Sequence, residues 1–282
     1  KGEYLSIMSQ LGAQTFGLEF SEESAAACNK QGLDVSRGYI ENSHQVLQNS
    51  IFDGFFILNF LEHLPNINSV LGCIHNNLNA LGVGLVEVPN FDMILKKNLF
   101  SEFIGDHLFY FTLETLANTL KMNGFEIIDS AIVWHDYVIS AHIKKIEADR
   151  KTPILVKKVK IDNFSEHQRK IKNELQDYLD STDKKVAIWG AGHQSLAVIA
   201  LADLADKISY VVDSATFKQN KYTPATHIPI VAPETLLSDP VDAIIIMAAG
   251  YSDEVARNLL KSHQNKLSIS ILREEGLEIL IA

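Results

Sequence analysis

Short apolar runs alternate with helical patterns over the first half of the chain. The runs that predict strands are Thr15–Glu19, Asp34–Tyr39, Phe52–Asn59, Val83–Val88, Glu126–Trp134 and Val138–Lys144. Helical spacing of apolar positions predicts helices at residues 2–11, Glu22–Gln31, His44–Gln48, Ile67–Leu78 and Leu113–Asn123. Continuous apolar strands separated by helices indicate a largely parallel, buried sheet. Only a short turn with His135 and Asp136 separates the last two strands, which predicts an antiparallel end pair.

Both ends of the helix predicted at Leu113–Asn123 carry local signals. Thr112 stands where a side-chain oxygen caps the first amides of a helix. Gly124 follows the last helical residue and can adopt the left-handed conformation that ends many helices.

The alternation restarts after a stretch at 147–160 that is rich in Lys and Arg and contains Pro153. A polar helix at Asp162–Leu179 is followed by predicted strands Val186–Trp189, Ile208–Val212, Ala243–Met247 and Ser268–Leu272 and predicted helices Ser195–Leu204 and Asp253–Ser262. The pattern predicts an α/β fold with two Rossmann-like three-layer domains in series, residues 1–150 and 151–282.

The composition agrees with two folded domains. The chain has 282 residues, 46% of them apolar and 21% charged, and its length suits domains of roughly 150 residues. The net charge of −10 argues against a nucleic-acid partner. Two cysteines cannot form a four-thiolate zinc site. No apolar run approaches the ~20 residues of a membrane span, and no signal peptide is visible, so we expect a soluble cytoplasmic protein without a membrane partner.

Glu19 at the end of its strand is a candidate cofactor ligand. In nucleotide-binding α/β folds a carboxylate at this position accepts hydrogen bonds from both hydroxyls of a ribose. The alternative is an exposed acid at a helix start, beside Ser21. A strand and a glycine loop should precede the helix at 2–11, and only Gly2 represents that loop. We therefore expect the natural polypeptide to extend upstream.

The apolar strand at Phe52–Asn59 runs into a polar loop that includes Asn59 and His63. Ligands of open α/β sheets bind outside the carboxyl ends of the strands. Asn59 is therefore a candidate for cofactor binding and His63 for catalysis. A structural histidine next to Pro65 is the alternative interpretation of His63.

A second candidate group is Gly105-Asp-His-Leu-Phe-Tyr-Phe-Thr112. Asp106 can orient the imidazole of His107, and the aromatic residues can exclude water, so that a neutral histidine serves as a base near pH 7. Alternatively, the aromatic residues are core and His107 only caps them.

Gly190-x-Gly192-x-x-Ser195 follows a predicted strand, and Asp213 lies about 20 residues further on, as in dinucleotide-binding motifs. Serine replaces the third glycine of that motif. Three interpretations stay open: a nicotinamide cofactor site, a contact to a nucleotide diphosphate at the helix N-terminus, and a structural turn.

The motifs of the second half resemble the sugar C-methyltransferase family, whose members add a methyl group to a carbon of a nucleotide-linked keto-deoxysugar. They are Trp189-Gly-Ala, Tyr210-Val-Val-Asp213, Lys218-Gln-Asn-Lys-Tyr222 and Thr226-His-Ile-Pro-Ile230. The segment around His63 resembles class I S-adenosylmethionine-dependent methyltransferases. The resemblance implies a class I methyltransferase core with a mostly parallel sheet, followed by a Rossmann-like final domain. The family's zinc module and most of its glycine motif are missing, so zinc is expected only with an upstream module.

The resemblance also implies roles for individual residues. His107 would be the catalytic base, Asp106 its partner and His63 a further active-site histidine. Gly2, Glu19 and Asn59 would bind S-adenosylmethionine. The residues implied in binding the nucleotide sugar are Tyr110, Lys218, Lys221 and His227.

The resulting prediction is an S-adenosylmethionine-dependent C-methyltransferase of deoxysugar biosynthesis that forms an enolate by base catalysis. Two other classes stay open. One is an NAD(P)-dependent oxidoreductase that uses the second glycine loop. The other is a non-catalytic, methyltransferase-derived protein that binds sugar nucleotides. The sequence leaves the oligomeric state open.

Overall fold

The computed structural model describes residues 2–147, 161, 163–181, 184–263 and 267–281. Among these, residues 2–90 and 108–147 form one compact unit, and residues 91–107 form the other together with the residues from 161 onward. The domain boundary predicted at 150/151 lies outside the described residues and stays a prediction.

Helices and strands of the first unit follow the predicted alternation. In chain order they are α1 (Glu3–Gln10), β1 (Phe16–Glu19), α2 (Glu22–Lys30), β2 (Asp34–Arg37), β3 (Phe52–Leu58), α3 (Ile67–Asn76), β4 (Leu78–Pro89), α5 (Leu113–Met122), β5 (Phe125–Val133) and β6 (Val138–Lys145). The short helix α4 (Phe91–Lys96) belongs to the second unit.

The first unit has two sheets. One is the parallel pair β1-β2, and the other has the order β3-β4-β6-β5. β3 and β4 are parallel, whereas β6 is antiparallel to both β4 and β5. The antiparallel end pair is thus confirmed.

The core of the first unit lies between the four-stranded sheet and helices α3 and α5. Leu71 from α3, Leu116 and Leu120 from α5, and Phe125 and Ile139 from the sheet are all fully buried in it. Burial of each such side chain stabilises the fold by about 1.5–3 kcal/mol.

Strand β3 is apolar along most of its length yet lies at a sheet edge. β1 and β3 each have one edge without a strand partner among the described residues. The ring of Phe16 in β1 contacts that of Phe52 in β3, with centroids 5.9 Å apart, and the ring of Tyr4 in α1 lies 6.1 Å from that of Phe56 in β3. Because β3 is an edge strand, Phe56 stays 36% exposed, whereas the pattern predicts a buried sheet.

The helix predicted at His44–Gln48 is wrong. This segment is a loop, because side chains compete for its backbone amides. The Oδ1 atom of Asn42 accepts the amide of His44 at 2.9 Å, and the Oδ1 atom of Asn77 accepts the amide of Leu47 at 2.9 Å. Such side-chain to backbone bonds favour turns over helices.

The second unit adds further elements to the predicted alternation. Besides α4 it contains α6 (Phe164–Asp180), β7 (Val186–Trp189), α7 (His193–Leu201), β8 (Tyr210–Val212), β9 (Lys221–Tyr222), β10 (Pro229–Val231), α8 (Thr235–Ser238), β11 (Ala243–Ile246), α9 (Ser252–His263), β12 (Ser268–Leu272) and β13 (Leu277–Ile281).

Its sheet has the order β13-β12-β11-β7-β8-β10-β9. The five inner strands are parallel, and β9 and β13 are antiparallel edges. Helices α6 and α7 pack on one face, where Leu175 and Ile199 are fully buried, and α8 and α9 contribute Leu236 and Leu259 to the other. The α/β fold class is confirmed.

Residues 91–107, which we call the inserted segment, leave the first unit between β4 and α5. The exit and the return are fixed within the first unit, because Asn90 forms a parallel bridge with Phe111. The amide of Asn90 also donates to the carbonyl of Tyr137 at 2.8 Å, and that of Leu108 to the carbonyl of Glu62 at 2.9 Å. The inserted segment itself folds with the second unit.

None of the described helices combines the length and apolar character that a membrane span requires.

Both signals at the ends of α5 are confirmed. Thr112 and Thr115 form a reciprocal capping box at the N-terminus. Gly124 follows the helix with φ = +86°. A Cβ atom built on Gly124 would press on the His75 ring, 2.5 Å from Nε2. That ring cannot easily move, since its Nε2 lies 2.9 Å from the carbonyl of Ile146.

We predict that Gly124→Ala destabilises the protein more than Gly32→Ala does. Gly32 has a similar φ of +82°, but a Cβ there would meet nothing within 4 Å. The control should therefore cost only left-handed strain of about 1–2 kcal/mol, whereas overpacking at Gly124 should add about 1–3 kcal/mol. Urea unfolding of both variants measures the difference, and equal losses would contradict the role of the His75 contact.

Candidate active site

Glu19 ends β1 and lies at the start of α2. Its Oε1 atom accepts the amide of Ser21 at 2.8 Å, and the hydroxyl of Ser21 caps α2 by accepting the amide of Ser24 at 3.2 Å. The side chain is half-buried. A carboxylate has about four lone-pair positions, so Glu19 can accept further hydrogen bonds from a ligand while one oxygen holds the helix start.

Gly2 precedes α1 and has φ = +85°. A Cβ atom at Gly2 would lie 2.5 Å from Cδ1 of Leu33 and 3.1 Å from Sγ of Cys28. Close packing against α2 and the connection after it therefore requires a glycine here. Its predicted role in cofactor binding stays a prediction.

Asn59 and His63 follow the carboxyl end of β3. Asn59 has φ = +47°, an exposed side chain, and an amide that donates to the carbonyl of Glu87 at 2.9 Å. His63 ends the 3-10 turn Leu61–His63, and its side chain is 28% exposed. Its Nε2 atom lies 3.9 Å from Oε1 of Glu62.

Glu62 is a further candidate site residue, which the sequence did not reveal. Its side chain is only 2% exposed, although it sits in a turn at the carboxyl end of a strand. Its carbonyl accepts the amides of Leu108 and Phe109 at 2.9 and 3.2 Å, where the chain returns from the inserted segment. The signal in the sequence was an acid in the short loop that follows the apolar strand β3.

Tyr110 lies next to the return point and is half-buried. Its neighbours differ in exposure, since Phe111 is 4% exposed and Phe109 is 39% exposed. The rings of these two phenylalanines are stacked, with centroids 6.4 Å apart. The aromatic cluster is therefore only partly core.

Asp106 and His107 lie in the inserted segment, after the 3-10 turn Phe100–Glu102. Asp106 is exposed, and His107 is half-buried. The amide of His107 donates to the carbonyl of Ile104 at 3.2 Å, which closes a tight turn. Their catalytic roles stay predictions.

The second glycine loop connects β7 to α7. Gly190 has φ = +117°, and a Cβ there would lie 2.6 Å from the carbonyl oxygen of Met247 at the end of β11. This close approach occurs where the strand order reverses, with β8 on one side of β7 and β11 on the other. The hydroxyl of Ser195 donates to the carbonyls of Gly190 and Gly192, so the serine at the third motif position stabilises the loop.

The carboxylate of Asp213 forms its hydrogen bonds at this same edge of the sheet. Oδ2 accepts the amide of Ala191 at 2.8 Å and lies 3.1 Å from Nζ of Lys218, and Oδ1 accepts the amide of Ala215 at 2.8 Å. Burial raises the pKa of Asp213, but these hydrogen bonds and the charge of Lys218 outweigh it and lower the pKa below its usual value. Because the chain itself supplies these donors, the geometry favours the structural interpretation of this acid.

The basic residues that are predicted to bind the substrate differ in their surroundings. Lys218 pairs with Asp213, and its Nζ also lies 5.8 Å from the centroid of the Phe217 ring. Lys221 in β9 is exposed, as is His227, which has φ = +55° in the turn before β10. Lys221 and His227 are thus accessible to an anion.

A histidine–carboxylate pair of the second unit was also missed. His193 Nε2 lies 2.8 Å from Oε2 of Glu102, and the Glu102 side chain is 5% exposed. No local pattern connects these two residues, which are far apart in the sequence.

The predicted site residues thus form two groups. The first unit contains Gly2, Glu19, Asn59, His63 and Tyr110, and the second contains Asp106, His107, Lys218, Lys221 and His227.

Comparison with known proteins gives family matches for most of the chain. Residues 1–130 match the family model described as a methyltransferase domain. Residues 135–269 match that of the C-methyltransferase C-terminal domain. The chain is also similar to the C-methyltransferase NovU of Streptomyces niveus, with 22% identity over 278 residues. That alignment covers 91% of this chain and 66% of the relative's length.

Two solved methyltransferase structures resemble part of the chain. One is 1,6-didemethyltoxoflavin-N1-methyltransferase of Burkholderia thailandensis with bound 1,6-didemethyltoxoflavin and S-adenosylhomocysteine, at 19% identity and a TM-score of 0.41, covering 52% of this chain and 67% of that one. The other is an S-adenosylmethionine-dependent methyltransferase of Archaeoglobus fulgidus, at 20% identity and a TM-score of 0.41, covering 51% and 81%. The chain thus matches the model of a methyltransferase domain and, after it, that of a C-methyltransferase C-terminal domain.

Proposed function

We propose that the protein transfers a methyl group from S-adenosylmethionine to a carbon atom of a nucleotide-linked keto-deoxysugar. The observation that carries this proposal is the order of the two matched domains, a methyltransferase domain and then a C-methyltransferase C-terminal domain. The similarity to a protein named as a C-methyltransferase extends along both. The sugar nucleotide as substrate rests on the motifs Tyr210-Val-Val-Asp213 and Thr226-His-Ile-Pro-Ile230.

The residues at the carboxyl end of β1 fit the cofactor. Glu19 is half-buried, and the amide of Ser21 orients its carboxylate through Oε1. This leaves acceptor positions for the two hydroxyls of a ribose. When bound, S-adenosylmethionine supplies an electrophilic methyl group on a sulfonium.

His107 is the proposed general base. Its imidazole would remove a proton from the substrate carbon next to the ketone, which leaves a nucleophilic enolate. An imidazole suits this step because it changes protonation near neutral pH. Asp106, its neighbour in the chain, would orient the ring. Lys221 and His227, both exposed, would contact the anionic nucleotide.

The nicotinamide-dependent alternative is disfavoured by Asp213. In that class of site the acid after the second strand binds the ribose, whereas here Asp213 accepts hydrogen bonds from Ala191, Ala215 and Lys218. S-adenosylhomocysteine should therefore raise the melting temperature of the protein, and NADH should not.

We predict that His107→Gln lowers kcat for methyl transfer by about 10²–10⁴-fold, the range for loss of a general base. The affinity for S-adenosylhomocysteine should stay the same. The assay is incorporation of labelled methyl from S-adenosylmethionine into a nucleotide-linked keto-sugar. His142→Gln is the control, because His142 is an exposed histidine of β6. Wild-type kcat in the His107→Gln protein would refute the assignment of the base.

We predict that Glu19→Gln weakens binding of S-adenosylhomocysteine by about ten-fold or more, since hydrogen bonds to a charged group contribute about 1.5–3 kcal/mol. Calorimetric titration measures the dissociation constant. Glu22→Gln is a matched control, because Glu22 pairs with Arg37 on the surface of the same unit. Equal affinities of the two variants would exclude the ribose role of Glu19.

We predict that Asp213→Asn destabilises the protein by about 1–3 kcal/mol, because an amide cannot accept all the donors that face this buried carboxylate. Because the pKa of Asp213 is lower in the folded protein, its carboxylate adds its full stabilisation of the fold at a pH above the ordinary pKa of an aspartate. This stabilisation is lost as the pH falls through the lowered pKa. Urea unfolding at neutral and acidic pH should therefore show a difference between wild type and variant that shrinks on acidification. The exposed Asp206→Asn is the control; a pH-independent difference would contradict this account.

A further inference from the structure

The inserted segment is held within the second unit by aromatic contacts and a surface ion pair. Phe100 packs against the core formed by α6, α7 and the sheet, and its ring centroid lies 6.2 Å from that of His167. The ring of Phe103 meets the edge of Phe164 at 5.1 Å. Lys97 pairs with Glu274 at 2.7 Å, with side chains 27% and 49% exposed.

Between these contacts a buried carboxylate of the segment meets the first residue of α7. Oε2 of Glu102 lies 2.8 Å from Nε2 of His193. The Glu102 side chain is 5% exposed and that of His193 51% exposed. Partly exposed ion pairs usually contribute little, but a buried carboxylate that loses a hydrogen-bonding partner is left with a large desolvation cost.

Within the part of the chain that the structure describes, the carboxylates that act on the His193 ring are those of Glu102 and Asp106, and both belong to the inserted segment. The hydrogen bond with Glu102 raises the pKa of His193 above its usual value; burial opposes this, and the charges of Glu102 and Asp106 support it. Since the folded-state pKa is raised, the stabilisation is complete below the ordinary pKa of a histidine. It is lost as the pH rises through the raised value.

We propose that His193 and Glu102 form a clasp that holds the inserted segment, so that His193 is a positioning residue for methyl transfer. The proposal rests on the proposed function, because it assumes that His107 is the base. Asp106 and His107 follow Glu102 by four and five residues. A chain this short restricts their movement to the neighbourhood of Glu102. Loss of the clasp therefore displaces the base without touching the cofactor.

Two variants of His193 separate charge from hydrogen bonding, and a third variant serves as the control. His193→Gln keeps a donor without charge, and His193→Arg keeps a positive charge at every working pH. His142→Gln removes a different histidine–carboxylate pair, with Asp129 at 3.9 Å on an exposed strand of the first unit. For each protein, amide hydrogen exchange of residues 91–107 is measured between about pH 6 and 9. Each rate is divided by the exchange rate of an unprotected amide at the same pH. In addition, kcat and KM are measured for methyl transfer.

In the wild type, protection of residues 91–107 should fall as the pH rises through the raised pKa of His193. His193→Gln should exchange about three- to ten-fold faster at the acidic end, since charge-assisted hydrogen bonds are about twice as strong as neutral ones, and should show no pH step. His193→Arg should keep protection without the step. In His193→Gln, kcat should fall by a similar factor at unchanged KM for S-adenosylmethionine, and His193→Arg should restore it. The His142→Gln control should match the wild type.

Exchange in His193→Gln equal to wild type at every pH would overturn the clasp. Altered exchange with unchanged kcat would overturn the positioning role. If the wild type shows no methyl transfer, the proposed function fails, and with it the positioning role, while the exchange data still decide whether the clasp exists. Should His193→Gln not fold, Glu102→Gln removes the same charge pair from the other side and must give the same loss of the pH step.

Discussion

The bridge between Asn90 and Phe111 fixes where the chain leaves the first unit and where it returns. Both residues sit at the carboxyl end of β4, and the amide of Leu108 is held by the carbonyl of Glu62. The intervening residues can therefore fold with the second unit without disturbing the first. The proposed base His107 lies in this intervening stretch, whereas the proposed ribose ligand Glu19 belongs to the first unit, so the two kinds of chemistry are assigned to separately folded parts.

The second glycine loop illustrates how a ligand-binding motif can serve the fold. Its acid, Asp213, accepts the amide of Ala191 inside the loop, and its serine, Ser195, donates to the loop carbonyls. In a dinucleotide site the corresponding acid binds the ribose of the cofactor. The same spacing of residue types thus occurs in a loop whose acid binds the chain itself, and the hydrogen-bond partners of that acid distinguish the two cases.

The sequence was sufficient for the elements whose signals are local. Apolar runs gave β3 and β6, and the signals at Thr112 and Gly124 gave the ends of α5 correctly. The helix predicted at His44–Gln48 was wrong because Asn77, some thirty residues away, takes the amide of Leu47. Contacts across such distances leave no periodic trace in the chain.

The same limit applies to the candidate site. Glu19 and Asn59 could be placed from the sequence, since the carboxyl ends of strands are predictable. The pair of Glu102 and His193 could not, because it depends on which unit holds the inserted segment. Catalytic roles for His107, Asp106 and His63 stay predictions.

The interruption of the first unit has a consequence for biosynthesis. When the ribosome has released residues 91–107, their aromatic partner Phe164 and their ionic partner Glu274 have not yet been made. Phe100 and Phe103 must then remain in water until the C-terminal half emerges, since translation adds only about 5–20 residues per second. A nascent chain of this kind lacks for seconds the C-terminal partners that cover Phe100 and Phe103 in the folded protein, and transient exposure of apolar surface favours aggregation.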